Sequence, residues 1–121
     1  MPEFRYNNKL YYNSVEFMMD RIGGTWKMPI LWRLRDKTLR YSGLMSTMPK
    51  VTHKMLTSSL RELEADGFIV RKVFAEVPPR VEYSLTDRGL RSIPIISELR
   101  KYGFNLMRDY GIMVDEEEFK I

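Results

Sequence analysis

Residues 52–85, THKMLTSSLRELEADGFIVRKVFAEVPPRVEYSL, decide the fold. Leucines recur at spacings of four and three in the first part of this stretch, which predicts an amphipathic helix over residues 52–66. These leucines are Leu56, Leu60 and Leu63. Gly67 is placed to stop the helix. The period then changes to two in residues 68–74 and 81–85, which predicts two strands joined by a loop stiffened by prolines.

Three more helices are predicted upstream of this stretch. The first begins at Ser14, which we interpret as its N-cap, and stops at Gly23-Gly24. The second spans about residues 25–36. After a very short strand at residues 39–41, Ser42 is expected to cap a third helix, and Pro49 ends it.

A last long helix is predicted downstream, beginning after Thr86 as its N-cap. Pro94 and Gly103 lie within it, and we expect them to bend or interrupt it. The sequence before the first helix is polar and aromatic and is interpreted as an arm. The chain therefore divides into an N-terminal arm, one domain and an acidic C-terminal tail, at residues 1–12, 13–111 and 112–121.

The resulting order is helix, helix, short strand, helix, helix, hairpin, helix, which predicts a mainly α fold with a small β-hairpin, in the α+β class. Two helices joined by a tight turn and followed by a basic hairpin are typical of a winged helix-turn-helix. In that arrangement the helix at residues 52–66 enters the major groove of double-stranded DNA. The hairpin, or wing, at about residues 74–82 then contacts the flanking minor groove or the backbone.

The outward face of helix 52–66 carries residue types that suit a DNA groove. Stepping about 100° per residue places short polar and basic side chains opposite the leucines. Lys and Arg donate to guanine edges or phosphates, and Ser and Thr permit close approach. With the preceding turn and the wing included, the candidate DNA-binding residues are Lys50, Thr52, His53, Lys54, Thr57, Ser58, Arg61, Lys72 and Arg80.

Other interpretations of these features remain open at the level of sequence. Arg80 directly follows Pro78-Pro79, so we expect a stiff backbone that presents it at the tip of the wing, although a solvated turn arginine has the same pattern. Helix 52–66 could be an ordinary amphipathic helix. The whole chain could also be a winged-helix module that binds another protein and not DNA, because fold does not fix function.

Enzymatic chemistry finds little support in the composition. No set of acid, base and nucleophile is evident, so we predict that the chain is not an enzyme. It has no cysteine and one histidine, which argues against disulfides, thiol chemistry and a zinc site. We therefore expect no cofactor and no metal. The net charge of +4 permits an anionic partner without requiring one.

The composition also bears on location. The absence of cysteine fits a reducing cytoplasm. The N-terminal residues lack the apolar core of a signal peptide. No apolar run approaches the roughly 20 residues that a membrane span needs. We expect a cytoplasmic protein with no membrane partner.

The first and last helices carry more apolar side chains than one small domain can easily cover. This excess predicts a two-fold symmetric homodimer, whose DNA site would be an inverted repeat. The candidate interface residues are Val15, Met18, Met19, Ile22, Ile93, Ile96, Leu99, Phe104 and Met107. A small apolar or aromatic effector near Trp26, and constitutive binding controlled by abundance, are both left open.

Three segments resemble the HxlR-type regulators, a branch close to the MarR-like winged-helix proteins. They contain IGGTWK at 22–27, LRELEADG at 60–67 and EVPPRVEYSLT at 76–86. The resemblance spans roughly residues 13–103. It implies a dimer built from the first and last helices, a DNA-reading fourth helix, a wing on the flanking groove and no enzymatic activity.

Two departures from the pattern of these relatives stand out. Many relatives open the domain with a Cys-Pro pair, and some of them use that cysteine to sense oxidants. This chain has Asn13 and Ser14 at the matching positions, so thiol switching is not available to it. Lys50 stands where glycine is common in the turn before the fourth helix.

Overall fold

The buried leucines of the fourth helix anchor the arrangement of the chain, whose computed structural model describes residues 2–113 and 115. Each element forms where the local pattern of apolar and capping residues predicts one, with differences noted below. In chain order the elements are β1 Phe4–Tyr6, β2 Lys9–Tyr11, α1 Ser14–Ile22, α2 Lys27–Arg33, β3 Leu39–Arg40, α3 Tyr41–Thr47, α4 His53–Ala65, β4 Ile69–Phe74, β5 Arg80–Leu85 and α5 Asp87–Asp109.

The core surrounds the inner face of α4. Its leucines Leu56, Leu60 and Leu63 are 0%, 2% and 0% exposed, which confirms the inward face expected from the helical wheel. They share one buried cluster with side chains of the other helices and of the sheet. Burial of each leucine stabilises the fold by about 1.5–3 kcal/mol. The members contributed by α2, α3, β4, β5 and α5 include Ile30, Leu31, Leu44, Ile69, Tyr83 and Ile96.

The sheet has three antiparallel strands in the order β3-β5-β4. Strands β4 and β5 pair from Ile69↔Leu85 to Phe74↔Arg80, so the connecting loop is residues 75–79. Strand β3 adds to the other side of β5. The wing, expected at about residues 74–82, is the whole hairpin of residues 69–85, and the name is used for that range from here on. A helix pair followed by this wing confirms the winged helix-turn-helix fold.

Two predicted helix caps are correct and two are wrong. Thr52 Oγ1 accepts the N–H of Met55 at 3.1 Å, and Thr86 caps α5 in the same way. At α1, however, the cap is Asn13, whose side chain accepts the N–H of Glu16 at 2.8 Å, and Ser14 is already helical. Ser42 is likewise inside α3, because the helix starts directly where strand β3 ends.

Two helix lengths also differ from expectation. Helix α2 spans only seven residues, because its last turn tightens and the helix ends there. In that turn the Leu34 N–H bonds to the carbonyl oxygens of both Ile30 and Leu31. Helix α5 runs for 23 residues without the expected interruption at Pro94 or Gly103. Pro94 lies on an exposed part of the helix, where water can bond the carbonyl that the proline leaves unpaired.

The N-terminal arm is a β-hairpin, which the sequence interpretation did not anticipate. Asn7 and Asn8 form a two-residue turn with φ of 49° and 65°, the left-handed pair that tight hairpins require. Tyr11 is buried, stacks on Phe4 at 5.4 Å and meets Phe17 of α1 edge-on at 5.1 Å. The aromatic side chains thus fix the arm against α1.

Of the acidic tail expected at residues 112–121, positions 114 and 116–121 lie outside the described residues. Helix α5 ends at a turn in which Gly111 has a φ of 75°. None of the helices within 2–113 is both long and apolar enough to cross a membrane. The same residues contain no group of three or more side chains that could hold a metal ion.

The junction between the wing and α5 is closely packed. The Thr86 hydroxyl donates to the Gly67 carbonyl at 2.6 Å, so the end of α4 is fastened to the start of α5. Gly89 follows in the first turn of α5, where an added Cβ would lie 2.2 Å from the Phe68 carbonyl oxygen. Only glycine allows the helix to approach β4 this closely.

We predict that Gly89→Ala lowers the free energy of unfolding by about 1–3 kcal/mol, because the backbone must shift to admit the methyl group. Gly103→Ala is the matched control in the same helix. Its Cβ would meet nothing within 4 Å, so the substitution should stabilise by about 0.5–1 kcal/mol through helix propensity. Urea denaturation measures both. Equal stability of the two variants would contradict this account of the junction.

Candidate nucleic-acid interface

The outward face of α4 brings together most of the residues selected from the sequence. One shallow depression of about 500 Å³ is lined by side chains of the first three turns of the helix. Its lining residues are His53, Lys54, Thr57, Ser58, Arg61 and Glu62. Lys54, Ser58 and Arg61 are exposed and Thr57 is half-buried. The face is therefore polar, accessible and rich in hydrogen-bond donors.

The turn between α3 and α4 fixes the approach of this face. Val51 is buried, and Thr52 caps the helix beside it. Lys50 is exposed and has a φ of 74°, in the left-handed region. That backbone conformation costs an L residue with a side chain roughly 1–2 kcal/mol. Glycine would adopt this conformation without that cost, whereas this chain places a positive charge at the turn.

Tyr41 is a member of this site that sequence reasoning missed. It was assigned to a strand, but it is the first residue of α3 and its hydroxyl reaches the start of α4. Its Oη lies 2.9 Å from Nδ1 of His53 and 3.4 Å from Oγ1 of Thr57. No local signal identifies this contact, because it depends on how α3 crosses α4.

Arg71 is a second residue missing from the predicted set. It pairs with Tyr83 across the sheet and so shares the face that looks toward α4. Both line a cleft of about 370 Å³ with Tyr41, Thr57 and Arg61. The alternation of side chains along the strand could have identified Arg71, because it lies two residues from the buried Ile69 and therefore on the same face.

The opposite face of the wing carries Lys72 and Arg80, and Arg80 lies at the start of a strand and not at the tip, where it was expected. Arg80 is the first residue of β5, and its guanidinium lies 4.0 Å above the Phe74 ring. It also forms ion pairs with Glu76 at 3.4 Å and Glu82 at 3.3 Å. Its side chain is only 28% exposed. Contacts within the wing thus hold Arg80 back from the tip, while Lys72 remains exposed.

Basic residues of α2 are engaged inside the molecule. Lys27 forms an ion pair with Glu62 of α4 at 2.8 Å. Arg33 donates to the Thr47 carbonyl at 2.9 Å and to its hydroxyl at 3.0 Å. Burial, and then the charge of Arg35, lower the pKa of the Arg33 guanidinium. These cations hold helices together and are not part of the accessible outward face of α4.

The residues selected for a dimer interface divide into three groups. Val15, Met19 and Leu99 are exposed, whereas Ile22 and Ile96 are each 2% exposed and belong to the protein's own core. The last two therefore have almost no surface to offer a partner, because the inner faces of α1 and α5 already bury them. The half-buried remainder are Met18, Ile93, Phe104 and Met107.

A helix pair with an exposed basic face, followed by a wing, defines the class of winged helix-turn-helix DNA-binding transcriptional regulators. The sequence model of the family described as HxlR-like helix-turn-helix matches residues 21–110. The chain belongs to that family, which confirms the resemblance noted in the sequence, and it is a regulator and not an enzyme.

Similar proteins support the same assignment. An HTH-type transcriptional regulator of Methanothermobacter thermautotrophicus is 50% identical over 93 residues, which cover 77% of this chain and 71% of that protein. The regulator YybR of Bacillus subtilis is 38% identical over 86% of this chain and 88% of its own. Among solved structures, the regulator ytcD superposes with a TM-score of 0.75 at 45% identity, over 79% of this chain and 98% of its own. The redox regulator HypR in its oxidized form has a TM-score of 0.73 at 42% identity, over 77% and 96%.

The two faces of the wing yield a test with matched variants. We predict that Arg71→Gln weakens DNA binding and reduces the salt dependence of the binding constant by about one unit of slope, because a phosphate contact is lost. Arg80→Gln should leave that slope unchanged, since Arg80 is bound within the wing. Affinity titrations at several salt concentrations measure both. A larger loss of slope for Arg80→Gln would contradict the assignment of faces.

Proposed function

We propose that the protein regulates transcription as a homodimer that binds an inverted repeat in double-stranded DNA. Helix α4 of each subunit lies in the major groove, and the wing contacts the neighbouring backbone or minor groove. The observation that carries this proposal is the clustering of Lys54, Ser58 and Arg61 on the open face of α4, beside the cleft between α4 and the wing that Arg71 lines.

The dimensions of α4 suit this role. Thirteen residues at about 1.5 Å each make a helix of roughly 20 Å, and the major groove of B-DNA admits an α-helix. Lys54, Thr57 and Ser58 lie in the N-terminal half of the helix, Arg61 follows in its third turn, and Glu62 and Glu64 come after it toward the C-terminal end. This order favours docking by the N-terminal half, where helix N–H groups also attract phosphate.

Two single substitutions test the role of the α4 face. Arg61→Ala should cost on the order of 1–3 kcal/mol in binding and relax the preference at one base pair, if its guanidinium reads a base edge. Lys54→Ala should weaken binding evenly over all sequences, as loss of a phosphate contact does. Lys101→Ala, an exposed lysine on α5, is the control. Selection from a random DNA pool and titration of the selected site measure these effects, and unchanged binding by an Arg61/Lys54 double variant would contradict the proposal.

The dimer is supported by a second apolar stripe on α5. Its members are exposed and recur at spacings of four, three and four, so they lie on one face of the helix, distinct from the buried face that holds Ile96. Each is between 40% and 67% exposed. The members are Ile95, Leu99, Tyr102 and Leu106. Val15 and Met19 of α1 are exposed as well, and a two-fold related copy would cover these surfaces.

We predict that Leu99→Glu shifts the protein from dimer to monomer at micromolar concentration. The reason is that the partner subunit would cover the stripe and so bury an unpaired charge. Lys101→Glu is the control, because it adds negative charge on the polar face of the same helix. Sedimentation velocity measures the mass of each. A wild-type monomer, or a Lys101→Glu variant that dissociates equally, would contradict this interface.

The control of DNA binding is a further part of the proposal. HypR is named as a redox regulator, whereas this chain contains no cysteine, so we infer a mode of control without a thiol. A small aromatic or apolar effector and regulation by abundance both meet this requirement. We place the protein in the cytoplasm, where a bacterial-type regulator meets its DNA.

A further inference from the structure

The hydroxyl of Tyr41 contacts three atoms at the N-terminal end of α4. Its Oη lies 2.9 Å from Nδ1 of His53, 3.3 Å from the carbonyl oxygen of His53 and 3.4 Å from Oγ1 of Thr57. The phenol ring also stacks on the imidazole, with ring centroids 5.8 Å apart and planes within 8°. One side chain of α3 thus holds the first residue of the helix that faces DNA.

The chemistry of these partners decides where the protons lie. A hydroxyl has one hydrogen, so Tyr41 donates to only one of the three atoms at a time. The carbonyl of His53 also accepts the N–H of Thr57, four residues later in the helical ladder, and lies farther from Oη, at 3.3 Å. Nδ1 is the nearest acceptor. We assign the hydrogen of the Tyr41 hydroxyl to Nδ1, the shortest of the three contacts, and the Thr57 hydroxyl is then placed to donate to the Tyr41 oxygen.

A neutral imidazole that accepts a hydrogen bond at Nδ1 carries its own proton at Nε2. Nε2 lies on the other side of the ring from Tyr41, and His53 is exposed in the depression shared with Lys54 and Arg61. We propose that Tyr41 is a positioning residue that holds His53 in the Nε2–H tautomer, so that the first residue of α4 offers DNA a hydrogen-bond donor of fixed identity and direction.

This inference rests on the proposed function, because it takes the open face of α4 as the surface that reads DNA. The N-terminal residues of a recognition helix contact base edges, so we assign the Nε2–H of His53 to a base. In the major groove the acceptors are purine N7, guanine O6 and thymine O4, whereas cytosine presents an amino donor. A fixed Nε2–H therefore disfavours cytosine at the contacted position.

The tautomer is testable in the free protein. The chain has a single histidine, so its imidazole nitrogen signals need no further assignment. A two-bond ¹H–¹⁵N correlation spectrum at about pH 8, above the range in which unperturbed imidazoles titrate, should show a protonated Nε2 and an unprotonated Nδ1. In Tyr41→Phe, which removes only the hydroxyl, the signals should move toward the averaged pattern of a freely exchanging imidazole. A proton on Nδ1 in the wild type, or identical spectra for the two proteins, would overturn the proposal.

The base-reading role is tested separately, by selection from a random DNA pool. Tyr41→Phe should lose the preference at one base pair, with a fall of about 3- to 10-fold in affinity for the preferred site. Tyr12→Phe is the control, because it removes an exposed phenol hydroxyl from the N-terminal arm, and it should leave the selected sequences unchanged. An even loss of affinity across all sequences would overturn the base contact in favour of a merely structural role.

A second pair of variants isolates the tautomer from other effects of Tyr41. His53→Gln places an amide near the position of Nε2, and an amide has no tautomer for Tyr41 to set. His53→Gln and its double variant with Tyr41→Phe should therefore select the same sequences, and a further change in the double variant would overturn the proposed link.

Failure of the wild type to select any sequence would overturn the proposed function itself, while the spectrum of the free protein would still decide the tautomer.

Discussion

The burial of three leucines along one side of α4 is the constraint on which the rest of the structure depends. Leu56, Leu60 and Leu63 leave almost no surface to water, and removing one such side chain from a core typically costs 2–5 kcal/mol. That energy fixes the rotation of α4 about its axis. Because a helix is a rigid cylinder with about 3.6 residues per turn, fixing the inner face also fixes the outer one. The polar side chains on the outward face of α4 are therefore directed by apolar contacts on the far side of the helix.

The elements around α4 restrict its remaining freedom at both ends. At the N-terminal end Thr52 caps the helix and Tyr41 bonds His53. At the C-terminal end the Thr86 hydroxyl binds the Gly67 carbonyl, and Gly89 lets α5 approach β4 closely. The outward face of α4 is thus fixed by contacts within the protein itself. A preformed surface lowers the entropy that binding must overcome.

Positive charge alone is a poor guide to which side chains remain accessible to a partner. Three cations of α2 and the wing make contacts within the molecule: Lys27 with Glu62, Arg33 with Thr47, and Arg80 with Phe74 and two glutamates. Guanidinium groups pack readily on aromatic rings and bond several acceptors at once. Accessible cations of α4 and β4 come together where Arg61 and Arg71 line one cleft.

The sequence by itself determined the elements that depend on neighbours along the chain. The leucine period of α4, the caps at Thr52 and Thr86 and the change to period two in the wing are local signals, and each predicts its element because capping and amphipathic burial act within a few residues. The tertiary structure alone decided which side chains meet across elements. Tyr41 reaches His53, Arg71 turns toward α4, Arg80 folds onto Phe74, and Ile22 and Ile96 enter the core. These outcomes depend on helix crossing and strand register, which bring together residues far apart in the chain and so leave no local pattern to read.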